Sequence, residues 1–301
     1  MHRTLKHCWF LALALGVACA QSPSQAADDA GERAFAYVEQ LVALGPRPSG
    51  SEAQLKQQQV ILEALRRLDC TVTEDDFTAR TPRGPVAMKN IIADFPGPTG
   101  RINAVSGHYD TLGHADVPAF VGANDAGSSA GLLLALAEQL NGELRRDTVR
   151  LVFFDGEESV IAWQGDDHTY GSRRLAAAWA AGPERERLQA LINVDMVGDA
   201  NLQLVYEGNS TPWLRDLVWD VAASLGYSRQ FPAGQTGYIE DDHVPFVQNG
   251  FAAVDLIDFD YGLLNRYWHT EQDTLDKLSP ESLGIVLRVV RETLRELEKR
   301  P

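Results

Sequence analysis

The run LVFF at residues 151–154 restricts the fold of this chain more than any other stretch. Four consecutive bulky apolar side chains alternate between the two faces of a strand, so both faces of that strand must be covered. Further strand-like stretches are NIIADF (90–95), NAVSGHYD (103–110), residues 190–195 and 252–257, with CTVTEDDF (70–77) at the start of the series. Between and around them, helical apolar spacing runs over 31–43, 51–68, 127–140, 170–181, 211–225 and 280–298, with the breaker GPRPSGS dividing the first two. The alternation predicts an α/β protein: a three-layer helix, sheet, helix sandwich around a central mixed, mostly parallel sheet. The chain has 301 residues, 45% of them hydrophobic, with no internal repeat and no long linker after residue 27. Residues 27–301 are therefore expected to form a single domain.

The first 26 residues have a different character. Arg3 and Lys6 precede the apolar run CWFLALALGVACA and then small residues, which is the pattern of a removable signal peptide over 1–26. The run is too short and wrongly flanked for a spanning helix. Cleavage after ACA (Ala18 to Ala20) and after SQA (Ser24 to Ala26) both remain open. Lipid anchoring at Cys19 ranks second, because Gly16 rather than a large aliphatic residue stands three positions before it. The expectation is an exported protein, periplasmic or secreted. Cleavage leaves Cys70 alone, so no internal disulfide forms. Loss of Arg3 and Lys6 takes the formal charge from −15 to −17, with no basic run to oppose it. Nucleic acid and anionic membranes are poor partners for such a chain.

Carboxylate and imidazole groups gather just past the expected strands. They are His108 and Asp110 in SGHYDT, Asp125 in GANDAG, Glu157 and Glu158 in DGEES, Asp195 in NVDMVGD and His269 in YWHTEQDT. Each has a plain reading alone: Asp125 as a helix N-cap, Asp195 as a turn former, His269 as a surface residue. Together they place nitrogen and oxygen donors from five segments on the sheet edge where open α/β sheets bind ligands, and this donor set suits catalytic zinc. His108 and Asp110, two apart on a strand, share a face, so Asp110 is expected to hold the imidazole. Gly122, Gly127 and Gly131 let the backbone around Asp125 approach a metal and begin a helix. Adjacent glutamates repel, which is resolved if one ligates the metal and the other stays free to move protons. His114 and His168 read as surface or loop histidines.

SGHYDT, GANDAGSSAG, GEES, NVDMVGD and WHTEQDTLDKLSPESL resemble the zinc aminopeptidases with co-catalytic metals, metallopeptidase family twenty-eight, over nearly all of residues 27–301. That resemblance implies a zinc exopeptidase-like fold in which His108, Asp125, Glu158, Asp195 and His269 hold two zinc ions, Asp125 bridging, with Glu157 as base. A subgroup is more similar. LVFFDGEESVIAWQGDDHTYGSRRLA, YIEDDHVPF, YWHT and TPRGPVAMKNIIADFPG look like the animal-type glutaminyl-peptide cyclotransferases. The subgroup implies one Zn2+ on Asp125, Glu158 and His269, Glu157 as proton shuttle, Asp195 and Asp241 as partners in a hydrogen-bond relay, and Trp163 and Trp268 as pocket walls. It also implies peptide or protein N-termini as substrate; the chain is expected to be a monomer. Animal members carry a half-disulfide cysteine where this chain has Gly107, and HTEQDTLDKL leans toward the peptidase pattern.

Two chemistries follow. A cyclotransferase lets the α-amine of an N-terminal glutamine attack its own γ-carbonyl, so no water is activated and one zinc suffices. An aminopeptidase drives water at the first peptide bond and needs His108 and Asp195 for a second metal. A binding protein on the same scaffold is poorly supported, because no ligand position is lost.

Overall fold

Helices and strands alternate along the chain as the apolar spacing predicts. A computed structural model describes residues 23–234 and 236–300. Residues 1–22, which carry most of the stretch read as a leader, lie outside them. The order is α1 (Pro23–Val42), α2 (Glu52–Leu65), β1 (Thr71–Thr81), β2 (Gly84–Phe95), β3 (Ile102–His108), α3 (Gly127–Leu140), β4 (Thr148–Phe154), α4 (Tyr170–Ala181), α5 (Glu184–Arg187), β5 (Leu188–Asp195), β6 (Tyr206–Glu207), α6 (Pro212–Ser224), β7 (Thr236–Gly237), α7 (His243–Gln248), β8 (Ala253–Ile257) and α8 (Pro280–Glu298).

The main sheet has six strands in the order β1-β2-β4-β3-β5-β8. β4, β3, β5 and β8 are parallel, and β2 runs antiparallel to both of its neighbours. The mixed, mostly parallel expectation is met. LVFF behaves as its composition requires: Leu151 and Phe153 enter the core under α1, α3, α6 and α8, while Val152 and Phe154 enter a second core under α4 and α7. In the first core Val38, Leu41, Leu133 and Val286 close over Val105 and Ile192. In the second, Trp179 and Phe246 pack edge to face with centroids 5.5 Å apart.

Gly131 serves this packing rather than a metal. A Cβ there would lie 2.6 Å from Val38 Cγ2 and 2.8 Å from the Ala34 carbonyl oxygen, so the glycine is what lets α3 lie against α1. The first hairpin is longer than expected, with β1 and β2 paired from Thr71–Asp94 to Thr81–Gly84. Its charged, half-exposed edge strand gives little apolar signal. α7 was not expected either, because Pro245 sits inside it, tolerated in the first turn.

From β3 the chain crosses through α3 to β4, then returns past β3 through α4 to β5. The direction of winding therefore reverses between β3 and β5, and a crevice opens beyond their carboxyl ends.

Candidate active site

That reversal sets His108, the last residue of β3, beside Asp195, the last of β5, with His108 Nε2 3.1 Å from Asp195 Oδ1. Asp125 precedes α3, Glu157 and Glu158 follow β4, and His269 lies between β8 and α8. Asp125 faces both histidines: Oδ1 is 3.4 Å from His108 Nε2, and Oδ2 is 3.3 Å from His269 Nε2. His269 Nε2 is also 3.3 Å from Glu158 Oε2. Two donor clusters thus share Asp125, namely Asp125, Glu158, His269 and His108, Asp125, Asp195.

Donors of a tetrahedral zinc lie about 2.0–2.1 Å from it and hence about 3.3 Å apart. Both clusters come near that spacing about their histidine, at 3.3 and 3.3 Å in the first and 3.4 and 3.1 Å in the second. In the first, Asp125 Oδ2 and both Glu158 carboxylate oxygens are also buried without a hydrogen-bond partner, a costly state unless a cation compensates. In the second cluster His108 Nε2 and Asp195 Oδ1 satisfy one another. The residues present fit zinc.

Electrostatics agree. Burial pushes Glu158 up to about 7, against the pull of His269. Burial opposes charge on His269, yet Glu158 and Asp125 raise it to about 11. Burial also drives Glu157 well above the usual carboxyl range; His108 opposes this, while Glu158, Asp241 and Asp242 add to it. Asp195 rises to about 6, from burial first, with His108 opposing and Asp241 assisting. These are acidic groups packed together with too little positive charge.

The backbone is strained at three places in this ring. Ala126 (φ 80°), Met196 (φ 50°) and His269 (φ 52°) occupy left-handed conformations without being glycine. Two carboxylates pin the loops. Asp273 accepts Asn124 N at 2.8 Å, Asp125 N at 3.0 Å and the Tyr261 hydroxyl at 2.8 Å, tying the His269 loop to the Asp125 loop. Asp110 departs from expectation. β3 ends at His108, so Asp110 leaves the strand, and its carboxylate stands 3.8 Å from His108 Nδ1, too far for a hydrogen bond. It accepts the main-chain N–H of Glu157 at 3.1 Å and of Glu158 at 3.3 Å instead.

A cavity of about 380 Å³ opens onto Asp125, Glu157, Asp195, Asp241 and His269, and both Trp163 and Trp268 line it. Trp268 stacks on His269 with centroids 4.1 Å apart and meets Phe259 edge-on. Trp163 stacks on His168 at 4.3 Å. His168 is therefore buried under an indole rather than on the surface, while His114 lines the cavity and meets the Ser159 carbonyl at 3.1 Å.

Residues 90–294 match the model of Peptidase family M28. The chain belongs to that family. It is 30% identical to the glutaminyl-peptide cyclotransferase of Boiga irregularis, over 81% of this chain and 76% of that protein. It is similar in structure to an Acidobacteriales bacterium glutaminyl cyclase, with a TM-score of 0.86 and 34% identity over 90% of this chain and 95% of the other. A Zn-dependent exopeptidase from Parabacteroides distasonis also resembles it, with a TM-score of 0.78 and 25% identity over 90% and 98%.

Behind this M28 site lies a buried polar chain that sequence reasoning missed apart from Asp241. Asn193 Nδ2 donates to Asp241 at 2.9 Å and to Asp255 at 3.1 Å, and its carbonyl accepts the Ser106 hydroxyl at 2.8 Å. His243 Nε2 lies 3.1 Å from Glu207, and burial is outweighed there by His243 and neighbouring donors, which hold Glu207 down near 2. Asn193 falls inside an apolar strand and Glu207 in the two-residue strand β6, so neither gives a pattern signal. Phe259, Ile257 and Tyr238 also line the cavity; only their proximity to YWHT and EDDH hinted at this. At Gly107 a Cβ would lie 2.7 Å from both Ser129 Cβ and the Val194 carbonyl oxygen, so α3 and β5 close over the position where animal relatives are expected to carry cysteine.

Proposed function

We propose that this chain is a glutaminyl-peptide cyclotransferase that converts the N-terminal glutamine of peptides or proteins to pyroglutamate and releases ammonia, with a single zinc on Asp125, Glu158 and His269. The observation that carries the single-metal reading is the contrast between the clusters: Asp125 Oδ2 and both Glu158 oxygens lack a hydrogen-bond partner, whereas His108 Nε2 and Asp195 Oδ1 face each other at 3.1 Å. Bound zinc supplies a Lewis acid that polarises the γ-carbonyl. Glu157 takes the proton released by the attacking α-amine and returns it to the departing amide nitrogen, a role suited to a buried carboxyl with a raised pKa. Asp195 and Asp241, which both line the cavity, hold the amine beside Glu157. Trp163 and Trp268 fold the glutamine side chain back on its own amine.

The chain is read as a single catalytic domain over 27–301, exported after loss of residues 1–26 and acting as a monomer. Among the described residues no helix is long and apolar enough to cross a membrane.

The spacing of His108, Asp125 and Asp195 favours one second reading, a di-zinc aminopeptidase. Incubation of zinc-loaded protein with a glutaminyl and a leucyl peptide separates the two. The cyclotransferase converts the first to a product lighter by one ammonia, leaves the second intact and carries one zinc per chain by elemental analysis. Free leucine and two zincs would establish the aminopeptidase.

A further inference from the structure

The cavity has an interior and a mouth. Asp125, Glu157, Asp195 and Asp241 are buried inside it, whereas Trp163 (38% exposed), Trp268 (36%), Tyr238 (75%) and Glu240, whose side chain is 56% exposed, line it while facing solvent. If the interior holds an N-terminal glutamine, as the cyclotransferase reading requires, the peptide leaves through the mouth. The side chain of the second residue then meets three aromatic rings and one carboxylate.

Glu240 has no role in the reaction. Its nearest basic neighbour, His168, stands 4.0 Å away, and burial lowers the pKa of that imidazole, so it is neutral near pH 7. Arg173 borders the adjoining cavity but is held by Asp166. Among the described residues neither lysine nor arginine lines the cavity itself. The Tyr238 ring lies against Gly208, where an added Cβ would stand 2.6 Å from its Cε1, and most of it faces solvent.

We infer that the mouth is a subsite for a basic side chain, arginine above lysine, at the residue following the N-terminal glutamine. A guanidinium stacks on an aromatic face while its planar edge pairs with a carboxylate, and its apolar stem covers the rings between. A carboxylate at the second position meets Glu240 and is disfavoured. Exposed ion pairs and cation–π contacts are each weak, so the preference is modest, about fivefold between arginine and glutamate.

The test uses zinc-loaded Glu157→Gln protein, which binds peptide without turnover, and three peptides that differ only in arginine, alanine or glutamate after the glutamine. Dissociation constants are read from the fluorescence of the tryptophans. The expected order is arginine tightest and glutamate weakest, with the arginine-to-glutamate ratio falling toward one when Glu240→Gln is added and shrinking at raised ionic strength. Tyr238→Ala narrows the arginine-to-alanine ratio. Equal binding of the arginine and glutamate peptides, or a ratio that survives Glu240→Gln, overturns the subsite. Ammonia release from the alanine peptide by the wild-type protein reads the cyclotransferase assignment separately.

Discussion

Asp273→Asn tests whether the metal site is assembled by its supporting carboxylate. One oxygen of Asp273 accepts Asn124 N and the Tyr261 hydroxyl, and the other accepts Asp125 N. An asparagine keeps one acceptor. If its oxygen takes the side facing Asn124 and Tyr261, its amide group confronts the Asp125 N–H, and one hydrogen bond to a charged group is lost, about 1.5–3 kcal/mol. The effect on fold stability has opposing parts, because burial first and then the nearby Asp125 charge raise Asp273 to about 7, and an amide removes that repulsion. The effect on zinc does not. Misplacing the Asp125 loop and removing a negative charge behind the ligand both weaken metal binding. A loss of about ten- to a hundredfold in zinc affinity is expected, measured by competition with a chromophoric chelator. Tyr261→Phe, which deletes only the hydroxyl bond to Asp273, should show a smaller loss. An Asp273→Asn affinity within twofold of wild type would refute this account of the loop.

Glu157→Gln should retain zinc while kcat falls about a hundredfold or more, whereas Glu158→Gln should lose zinc and activity together; equal metal loss in both variants would end the division of labour between them. Trp268→Ala removes the ring stacked on His269, and should lower kcat/KM for glutaminyl peptides about threefold to tenfold while zinc affinity changes much less. Burial raises Asp258 to about 7, with the Gln203 and Asp260 main-chain N–H groups opposing. Its unfolded value is about 3.9. Between those values the folded state binds more protons, so this carboxyl contributes stability that declines as pH rises from about 4 to about 7, by at most about 1.4 kcal/mol per pH unit. In chelator-treated protein, Asp258→Asn should remove that slope by comparison with wild type; parallel urea-unfolding stabilities across the window would contradict it.

What could be read beforehand followed the periodicities. LVFF announced a strand buried on both faces, and the residues closing β3 and β5 were placed at one edge because strand ends in such sheets converge. What stayed hidden was set by contacts between distant segments. Asp110 was assigned to His108 on the assumption that β3 continued to it; the strand stops first, and the carboxylate turns to the loop after β4. His168 carried no mark of the indole that covers it. Asn193 interrupts an otherwise apolar strand, and only the tertiary structure shows two carboxylates waiting for its amide.

The Asp110 clamp also accounts for how two adjacent glutamates serve different ends. Consecutive side chains diverge when the backbone between them is fixed, and Asp110 fixes it by accepting both main-chain N–H groups. Glu158 is then delivered to His269 at 3.3 Å, while Glu157 stands 3.8 Å from His108 on the other side. Among the described residues neither lysine nor arginine lines the cavity, and Arg47, a buried guanidinium, donates to the carbonyls of Gly45, Val121 and Gly122. Among the described residues the one ion-pair partner of Glu158 is His269, whose Nε2 it shares with Asp125. With a metal on Asp125, Glu158 and His269 as proposed, Glu157 is left as a buried carboxyl outside the ligand set that still lines the cavity.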